Sequence, residues 1–282
     1  MDRDDILGRA APAPDRVLRY GDGAEHVADF WYPAGRSGGA ALIVFLHGGF
    51  WRAAYDRVHA RPLAVALAEA GYAVVLPEYR RTGQAGGGWP GTFDDVALAV
   101  DVLPGLVPGP PPGAVVLGGH SAGGHLALWA AARAGLPPGS PWAVAGAAAL
   151  ADGVVGLAAV SDLTSCARQR LGRGAAQALM GGEPQRYPER YEAADPALLL
   201  PLPVPVRLVH GAEDGIVPSQ MSVDFARRAG AGVTAVGGGG VSCEVLPRCG
   251  HFELIDPLSA AWPVVLGAFA AAAGPTAPTP GT

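Results

Sequence analysis

A serine flanked by closely spaced glycines is the residue of this sequence best placed for covalent chemistry. It lies in Gly119-His120-Ser121-Ala122-Gly123, after a predicted strand over residues 114–117 and before a predicted helix over residues 122–134. A tight strand-to-helix turn would expose the serine hydroxyl, and the glycines would leave room where strand and helix approach. The pattern predicts Ser121 as a nucleophile; the alternative is a glycine-rich turn that happens to contain a serine.

A serine hydroxyl is a weak nucleophile at neutral pH, so this hypothesis requires a base elsewhere in the chain. Of seven histidines, His251 is the best candidate because it follows a predicted strand over residues 241–246 and precedes the last predicted helix. It should lie in a loop at the carboxyl end of that strand, with a plain surface histidine as the alternative. His210, which ends an apolar strand, and His125, inside a helix, are expected to be packing residues.

The base in turn requires an orienting acid, for which Asp214 is the first choice. It follows a predicted strand over residues 204–209, whereas Glu213 and Asp162 are rivals that also lie near strand ends. A turn or helix-capping role is the alternative for Asp214. The chain order Ser, Asp, His is the order expected when such a triad is placed on successive strand ends.

A tetrahedral oxyanion also requires fixed hydrogen-bond donors. In Leu46-His47-Gly48-Gly49-Phe50-Trp51, an apolar strand runs into a Gly-Gly turn whose backbone N–H groups can face a cleft. The N–H of Ala122, at the start of the helix after the serine, should be the partner donor. A plain turn is the alternative for the two glycines.

Short β-branched runs alternate with Ala/Leu-rich stretches along the chain, a pattern typical of a mostly parallel sheet covered by helices. Strands are predicted over residues 17–20, 26–32, 41–46, 72–76, 114–117, 154–160, 204–209 and 241–246. Helices are predicted over residues 57–70, 93–103, 122–134, 219–229 and 258–272. We therefore expect an α/β fold with a sheet of about eight strands.

One domain over residues 1–273 is expected to hold all of these elements. The segment around residues 163–202 is rich in arginine and proline and too short for a core of its own, so we interpret it as a short cap insertion over the sheet. Residues 274–282 are rich in proline and threonine and are expected to form a flexible tail.

Composition excludes several classes of partner. Half of the 282 residues are apolar, 16% are charged and the net charge is −5, without a dense basic run. This argues against binding to nucleic acid or an anionic membrane. The start of the chain has no signal-peptide pattern, no apolar stretch is long enough for a membrane span, and Cys166, Cys243 and Cys249 lack C-x-x-C spacing. We expect a cytoplasmic protein without bound metal.

These motifs resemble the α/β-hydrolase superfamily. His47-Gly48-Gly49-Phe50-Trp51 resembles the H-G-G-x-W segment of the kynurenine formamidase and related esterase group, and the segments from Pro77 and Trp89 are similar to a connection in hormone-sensitive-lipase-like esterases. The resemblance implies an α/β-hydrolase fold. It also implies roles for individual residues: Ser121 as nucleophile, Asp214 as acid, His251 as base, and the N–H groups of Gly49, Phe50 and Ala122 as the oxyanion hole.

The expected activity is that of a serine hydrolase acting on a small carboxylic ester or a formamide, without a cofactor. The alternatives are a peptidase of the same fold and a binding module that has lost its chemistry. The short insertion favours a small acyl group. Trp51, Tyr79 and Trp89 are candidate substrate-binding residues, although lone aromatic residues are more often core. No partner beyond the substrate is expected, and exposed edge strands near the N-terminus leave a homodimer open.

Overall fold

A computed structural model describes residues 3–35, 39–137, 139–144, 150–230 and 240–277. Within these ranges eight strands form one sheet. They are β1 (Arg16–Arg19), β2 (Val27–Trp31), β3 (Leu42–Leu46), β4 (Ala73–Pro77), β5 (Val115–His120), β6 (Gly153–Leu157), β7 (Val206–Gly211) and β8 (Val241–Leu246). The predicted α/β fold with about eight strands is confirmed.

The order across the sheet is β1-β2-β4-β3-β5-β6-β7-β8. The pairs β1–β2 and β2–β4 are antiparallel, and all pairs from β4 to β8 are parallel. Six strands therefore end at the same edge of the sheet. Loops that leave this edge carry the residues after Leu46, His120, Gly211 and Leu246, and in open α/β sheets such an edge is where ligands bind.

Both faces of the sheet are covered, which explains the continuous apolar runs of its central strands. In β3, Leu42, Val44 and Leu46 pack into one hydrophobic cluster, and Ile43 and Phe45 pack into the other. All five are fully or almost fully buried. Side chains alternate between the faces of a strand, so one short apolar segment contributes to both halves of the core.

The five predicted helices are present with shifted ends. Helix α2 (Arg61–Glu69) follows a short 3-10 helix over residues 57–60, and α9 (Trp262–Ala273) packs with α2 on one face of the sheet. The opposite face is covered by α3 (Gly91–Leu106), α4 (Ala122–Ala132) and α8 (Gln220–Arg228). A further short helix, α1 (Arg3–Leu7), was not predicted.

The chain between β6 and β7 contains three short helices that the sequence pattern did not predict: α5 (Leu163–Arg168), α6 (Leu171–Met180) and α7 (Pro188–Ala194). Leu163, Leu179 and Tyr191 are buried in the same cluster as the side chains of β3. The predicted cap segment thus packs into the main core. Below we call residues 163–202 the cap.

The C-terminal residues form a 3-10 helix over residues 274–276, and the rest of the predicted tail, residues 278–282, lies outside the described residues. The helices of the described ranges include none with the length and apolar character of a membrane span. Cys166, Cys243 and Cys249 are free thiols.

Candidate active site

Ser121 occupies the turn between β5 and α4 in a strained backbone conformation, with φ 56° and ψ −116°. Positive φ is uncommon for a residue with a Cβ atom and persists only where its surroundings enforce it. Here the Ser121 N–H donates to the Leu157 carbonyl at 2.8 Å, and the N–H groups of Val160 and His125 donate to the Ser121 carbonyl at 3.1 Å each. These bonds hold the nucleophile candidate in the predicted sharp turn.

Two glycines of the motif are required by close contact. A Cβ atom on Gly119 would lie 2.2 Å from the Gly123 carbonyl oxygen, and one on Gly123 would lie 2.0 Å from the Leu46 carbonyl oxygen. Helix α4 therefore starts directly against the ends of β5 and β3. Larger residues at either position would push the serine out of place.

His251 and Asp214 form a short hydrogen bond. His251 Nδ1 lies 2.6 Å from Asp214 Oδ2, and both side chains are buried. Because a carboxylate only accepts, Nδ1 carries the hydrogen and Nε2 of the neutral ring is left as an acceptor. This is the tautomer that a general base requires.

Asp214 receives four hydrogen bonds in total. The N–H groups of Ile216 and Val217 donate to Oδ1 at 2.8 and 2.9 Å, and His210 Nε2 donates to Oδ2 at 3.1 Å. Burial by itself would raise the pKa of Asp214, but the bonds from His210 and His251 outweigh it and hold that pKa well below its usual range. Asp214 is thus a carboxylate at neutral pH.

The rival acids are engaged elsewhere. Asp162 caps α5, since its Oδ1 accepts from the Ser165 N–H at 2.6 Å, and its other oxygen pairs with Arg228. Glu213 is exposed. Of the three candidate acids, Asp214 is the one whose hydrogen bond to His251 the structure contains.

Ser121 and His251 line one cavity of about 780 Å³ at the carboxyl edge of the sheet. Gly49 and Phe50 line it as well, together with cap residues 169–173. The segments that follow β3, β5 and β8 therefore meet at one cavity. A volume of this size is typical of a pocket for a small molecule.

His120, the residue before Ser121, joins the two halves of the site. Its Nε2 donates to the His251 carbonyl oxygen at 3.0 Å, and the two rings lie 4.6 Å apart. Burial, and next the charge of His251, lower the pKa of His120 well below its ordinary value. A neutral His120 therefore ties the loop of the base candidate to the serine turn, a role that the sequence analysis did not assign.

Three successive residues after β3, namely Gly49, Phe50 and Trp51, have positive φ values of 112°, 52° and 55°. The N–H groups of Gly49, Phe50 and Ala122 have no acceptor among the described residues. Free backbone donors beside a nucleophile are what an oxyanion hole requires. The turn is supported from behind, because the Tyr79 hydroxyl donates to the His47 carbonyl at 2.7 Å.

A buried hydrogen bond between a histidine and a glutamate fixes the same turn. His47 Nε2 lies 2.8 Å from Glu78 Oε1, and the His47 ring stacks on Tyr79 with centroids 4.4 Å apart. Burial alone would raise the pKa of Glu78, but His47, followed by Arg81, lowers it to about 2. A permanent carboxylate therefore anchors the residue that precedes Gly48 and Gly49.

The expectation of substrate contact by Trp51, Tyr79 and Trp89 is not met. None of these residues lines the cavity. Trp51 and Tyr79 are fully buried, Trp51 against His125 and Tyr79 against His47. Trp89 packs edge-on against Trp142 and Phe93 beneath α3. Trp51 and Tyr79 are therefore core residues, and Trp89 is a partly buried residue packed against the same cluster.

His210 also differs from expectation, because it does more than pack. It is fully buried, but its ring joins the Ser222 hydroxyl to Asp214. No group of three or more His, Cys, Asp or Glu side chains among the described residues is arranged to hold a metal ion.

Residues 28–228, which are more than half of the chain, match the family model described as BD-FAE. The chain belongs to the BD-FAE family. The predicted membership of the α/β-hydrolase superfamily is confirmed, whereas the kynurenine formamidase subgroup stays a prediction.

Two curated proteins share sequence with this BD-FAE chain. Esterase LipC of Mycobacterium tuberculosis is 27% identical over 249 residues, which are 86% of this chain and 60% of that protein. An acetyl-hydrolase of Streptomyces hygroscopicus is 35% identical over 149 residues, which are 49% of this chain and 46% of that protein. The aligned regions thus span about half to 60% of these relatives.

Solved structures share the fold. Esterase B of Lactobacillus rhamnosis superposes with a TM-score of 0.71 over 94% of this chain and 86% of that one, at 21% sequence identity. This likeness supports the α/β-hydrolase fold of the BD-FAE chain.

Proposed function

We propose that the protein is a serine hydrolase that cleaves small carboxylic esters through an acyl-enzyme intermediate. The hydrogen bond from His251 Nδ1 to Asp214 Oδ2 carries the proposal. It leaves Nε2 of His251 ready to accept a proton, and His251 shares its cavity with Ser121. The remaining features of the site fit this role.

In the proposed reaction, the Ser121 hydroxyl oxygen attacks the ester carbonyl carbon while its proton passes to His251 Nε2. Asp214 holds the imidazole tautomer and stabilises the imidazolium that forms. The N–H groups of Gly49, Phe50 and Ala122 stabilise the oxyanion. The imidazolium then protonates the leaving alcohol as the ester bond breaks, and water attacks the acyl-enzyme by the same route.

Two observations favour a small ester as substrate. Relatives named as an esterase and an acetyl-hydrolase support an ester rather than a formamide. The cavity of about 780 Å³ is closed on one side by the short cap and accommodates a small molecule.

A fluorophosphonate probe tests the nucleophile directly. After labelling and digestion, mass spectrometry should find the adduct on Ser121, and Ser121→Ala should abolish labelling and lower kcat for 4-nitrophenyl acetate by about 10⁴-fold or more. Ser219→Ala is the matched control, because Ser219 precedes α8 and its side chain makes no capping bond.

An adduct on another residue would remove Ser121 from the proposal. Labelling of Ser121 without turnover of 4-nitrophenyl acetate, longer acyl esters or N-formylkynurenine would favour the binding-module alternative. Turnover of N-formylkynurenine far above that of the esters would move the activity to formamides with the same mechanism.

A further inference from the structure

The acidic or basic residues other than histidine that line the cavity of Ser121 and His251 are all arginines. Arg52, Arg170 and Arg173 line it, whereas its described lining residues include no aspartate or glutamate. This is the opposite of the chain as a whole, whose net charge is −5. The positive lining is therefore a local property of the site.

Two of these guanidinium groups have no carboxylate partner among the described residues. Arg170 pairs with Glu183 at 3.1 Å. The Arg52 guanidinium donates only to the Gly172 carbonyl oxygen, and the Arg173 side chain has neither a hydrogen bond nor an ion pair with a described residue. By contrast, the half-buried Arg57 and Arg61 both pair with Asp29. The positive charge of Arg52 and Arg173 is thus available to a ligand.

The cap holds two of these arginines in an unfavourable left-handed backbone conformation, Arg170 with φ 52° and Arg173 with φ 58°. Gly172 and Gly174, on either side of Arg173, are left-handed as well. Glycine adopts this conformation freely, but a residue with a Cβ atom does so at a cost. Strain of this kind at a non-glycine residue points to a functional use of its side chain.

Arginine in a partly enclosed cavity recognises a specific chemistry. A guanidinium group matches the geometry of a carboxylate or phosphate, and the low-dielectric walls of a cleft focus its field. Phe50, Leu171 and Ile216 add apolar side chains to the same lining. The cavity therefore combines the proposed catalytic residues with available guanidinium groups and apolar side chains.

We infer that the preferred substrates are esters that carry a carboxylate or similar small anionic group, bound by Arg52 and Arg173 while the ester carbonyl lies at Ser121. This inference rests on the proposed function and names its substrate class.

Two matched pairs of substrates test it, one for each side of the ester. Mono(4-nitrophenyl) glutarate carries the anion on the acyl side, and 4-nitrophenyl hexanoate is its neutral counterpart. For the alcohol side, 3-acetoxybenzoate is compared with its methyl ester. In at least one pair, kcat/KM should be about tenfold or more higher for the anionic ester. The ratio should shrink in high salt.

Arginine variants locate the effect. Arg173→Gln and Arg52→Gln should each lower the ratio of anionic to neutral kcat/KM several-fold, and the double variant should remove the preference. Arg168→Gln is the control, because Arg168 is exposed on α5 and does not line the cavity. It should leave the ratio unchanged.

The inference is overturned if the wild type hydrolyses the neutral esters at Ser121 without preferring either anionic ester. It is also overturned if Arg168→Gln lowers the ratio as much as Arg173→Gln, since the effect would then be a general one of surface charge. If no ester of either kind is hydrolysed, the proposed function falls and this inference falls with it.

Discussion

His210 gives the proposed acid a second histidine partner. Its Nδ1 lies 2.8 Å from the Ser222 hydroxyl, and its Nε2 lies close to both Asp214 Oδ2 and the Val217 carbonyl oxygen. Because both neighbours of Nε2 are acceptors, Nε2 carries the hydrogen and Nδ1 accepts from Ser222. Asp214 Oδ2 is thereby held by His210 as well as by His251, which makes His210 a positioning residue.

Replacing His210 should therefore lower kcat without changing KM. His210→Leu removes a hydrogen bond to a charged group and should reduce kcat for 4-nitrophenyl acetate about tenfold to a hundredfold. His210→Gln keeps an amide donor near the position of Nε2 and should recover part of the loss. Steady-state kinetics of both variants, with urea unfolding as a control, test this. Equal kcat values in the two variants would refute a positioning role.

At the residue scale, the candidate site was predictable where each residue follows a motif at a strand end. Ser121, Asp214 and His251 meet this condition, and the structure joins Asp214 to His251 and gives His251 and Ser121 a common cavity. The positioning role of His210 was not predictable. Its place at the end of an apolar strand indicates burial but does not indicate a hydrogen bond to Asp214. Arg52 and Arg173 were not predictable either, because only the folded cap brings them together.

The turn between β5 and α4 is an element whose packing leaves little room. Gly123 belongs to the first turn of α4 and touches the end of β3, whereas Gly267 in the middle of α9 has no atom within 4 Å of an added Cβ. The same substitution should therefore have opposite effects in the two helices.

Gly123→Ala should lower the free energy of unfolding by about 1–3 kcal/mol or more, because the methyl group would overlap the Leu46 carbonyl oxygen. Gly267→Ala should raise it by about 0.5–1 kcal/mol through helix propensity. Urea unfolding of both variants measures the difference. The contact argument fails if Gly123→Ala is as stable as the wild type.

Elements were predictable from sequence where burial produces a clear pattern. The central strands β3 and β4 are continuous apolar runs because both faces of the sheet are covered there. All eight strands were predicted to within a few residues. The cap helices α5, α6 and α7 were missed because they are short and interrupted. In α6, the left-handed residues Gly172, Arg173 and Gly174 break the helical period that a sequence pattern would show.

At the scale of the whole molecule, burial lowers the pKa of several histidines. Burial lowers the pKa of His125 to about 4, and burial followed by the charge of His47 lowers that of His59 to about 4. Nδ1 of His125 and Nδ1 of His120 have no hydrogen-bond partner in the part of the chain that the structure describes. In the unfolded chain these rings would take up protons near pH 6.5.

The sign of the pH dependence follows from these shifts. A histidine with a lowered pKa in the fold contributes stability that is present above pH 6.5 and is lost as the pH falls toward 4, at up to about 1.4 kcal/mol per pH unit for each ring. His125→Leu should therefore flatten the decline of the unfolding free energy between pH 6.5 and 5 by up to that amount. Urea unfolding at pH 7, 6 and 5 tests this, and an unchanged slope would contradict it.

Strand β8 lies at the rim of the sheet and pairs only with β7 among the described strands. It leads into the loop that carries His251, while Ser121 follows the central strand β5. A rim strand with one neighbour opens more readily than an interior strand. We therefore expect the loop that carries His251 to lose its position through local opening of β8, at a lower free-energy cost than that of global unfolding.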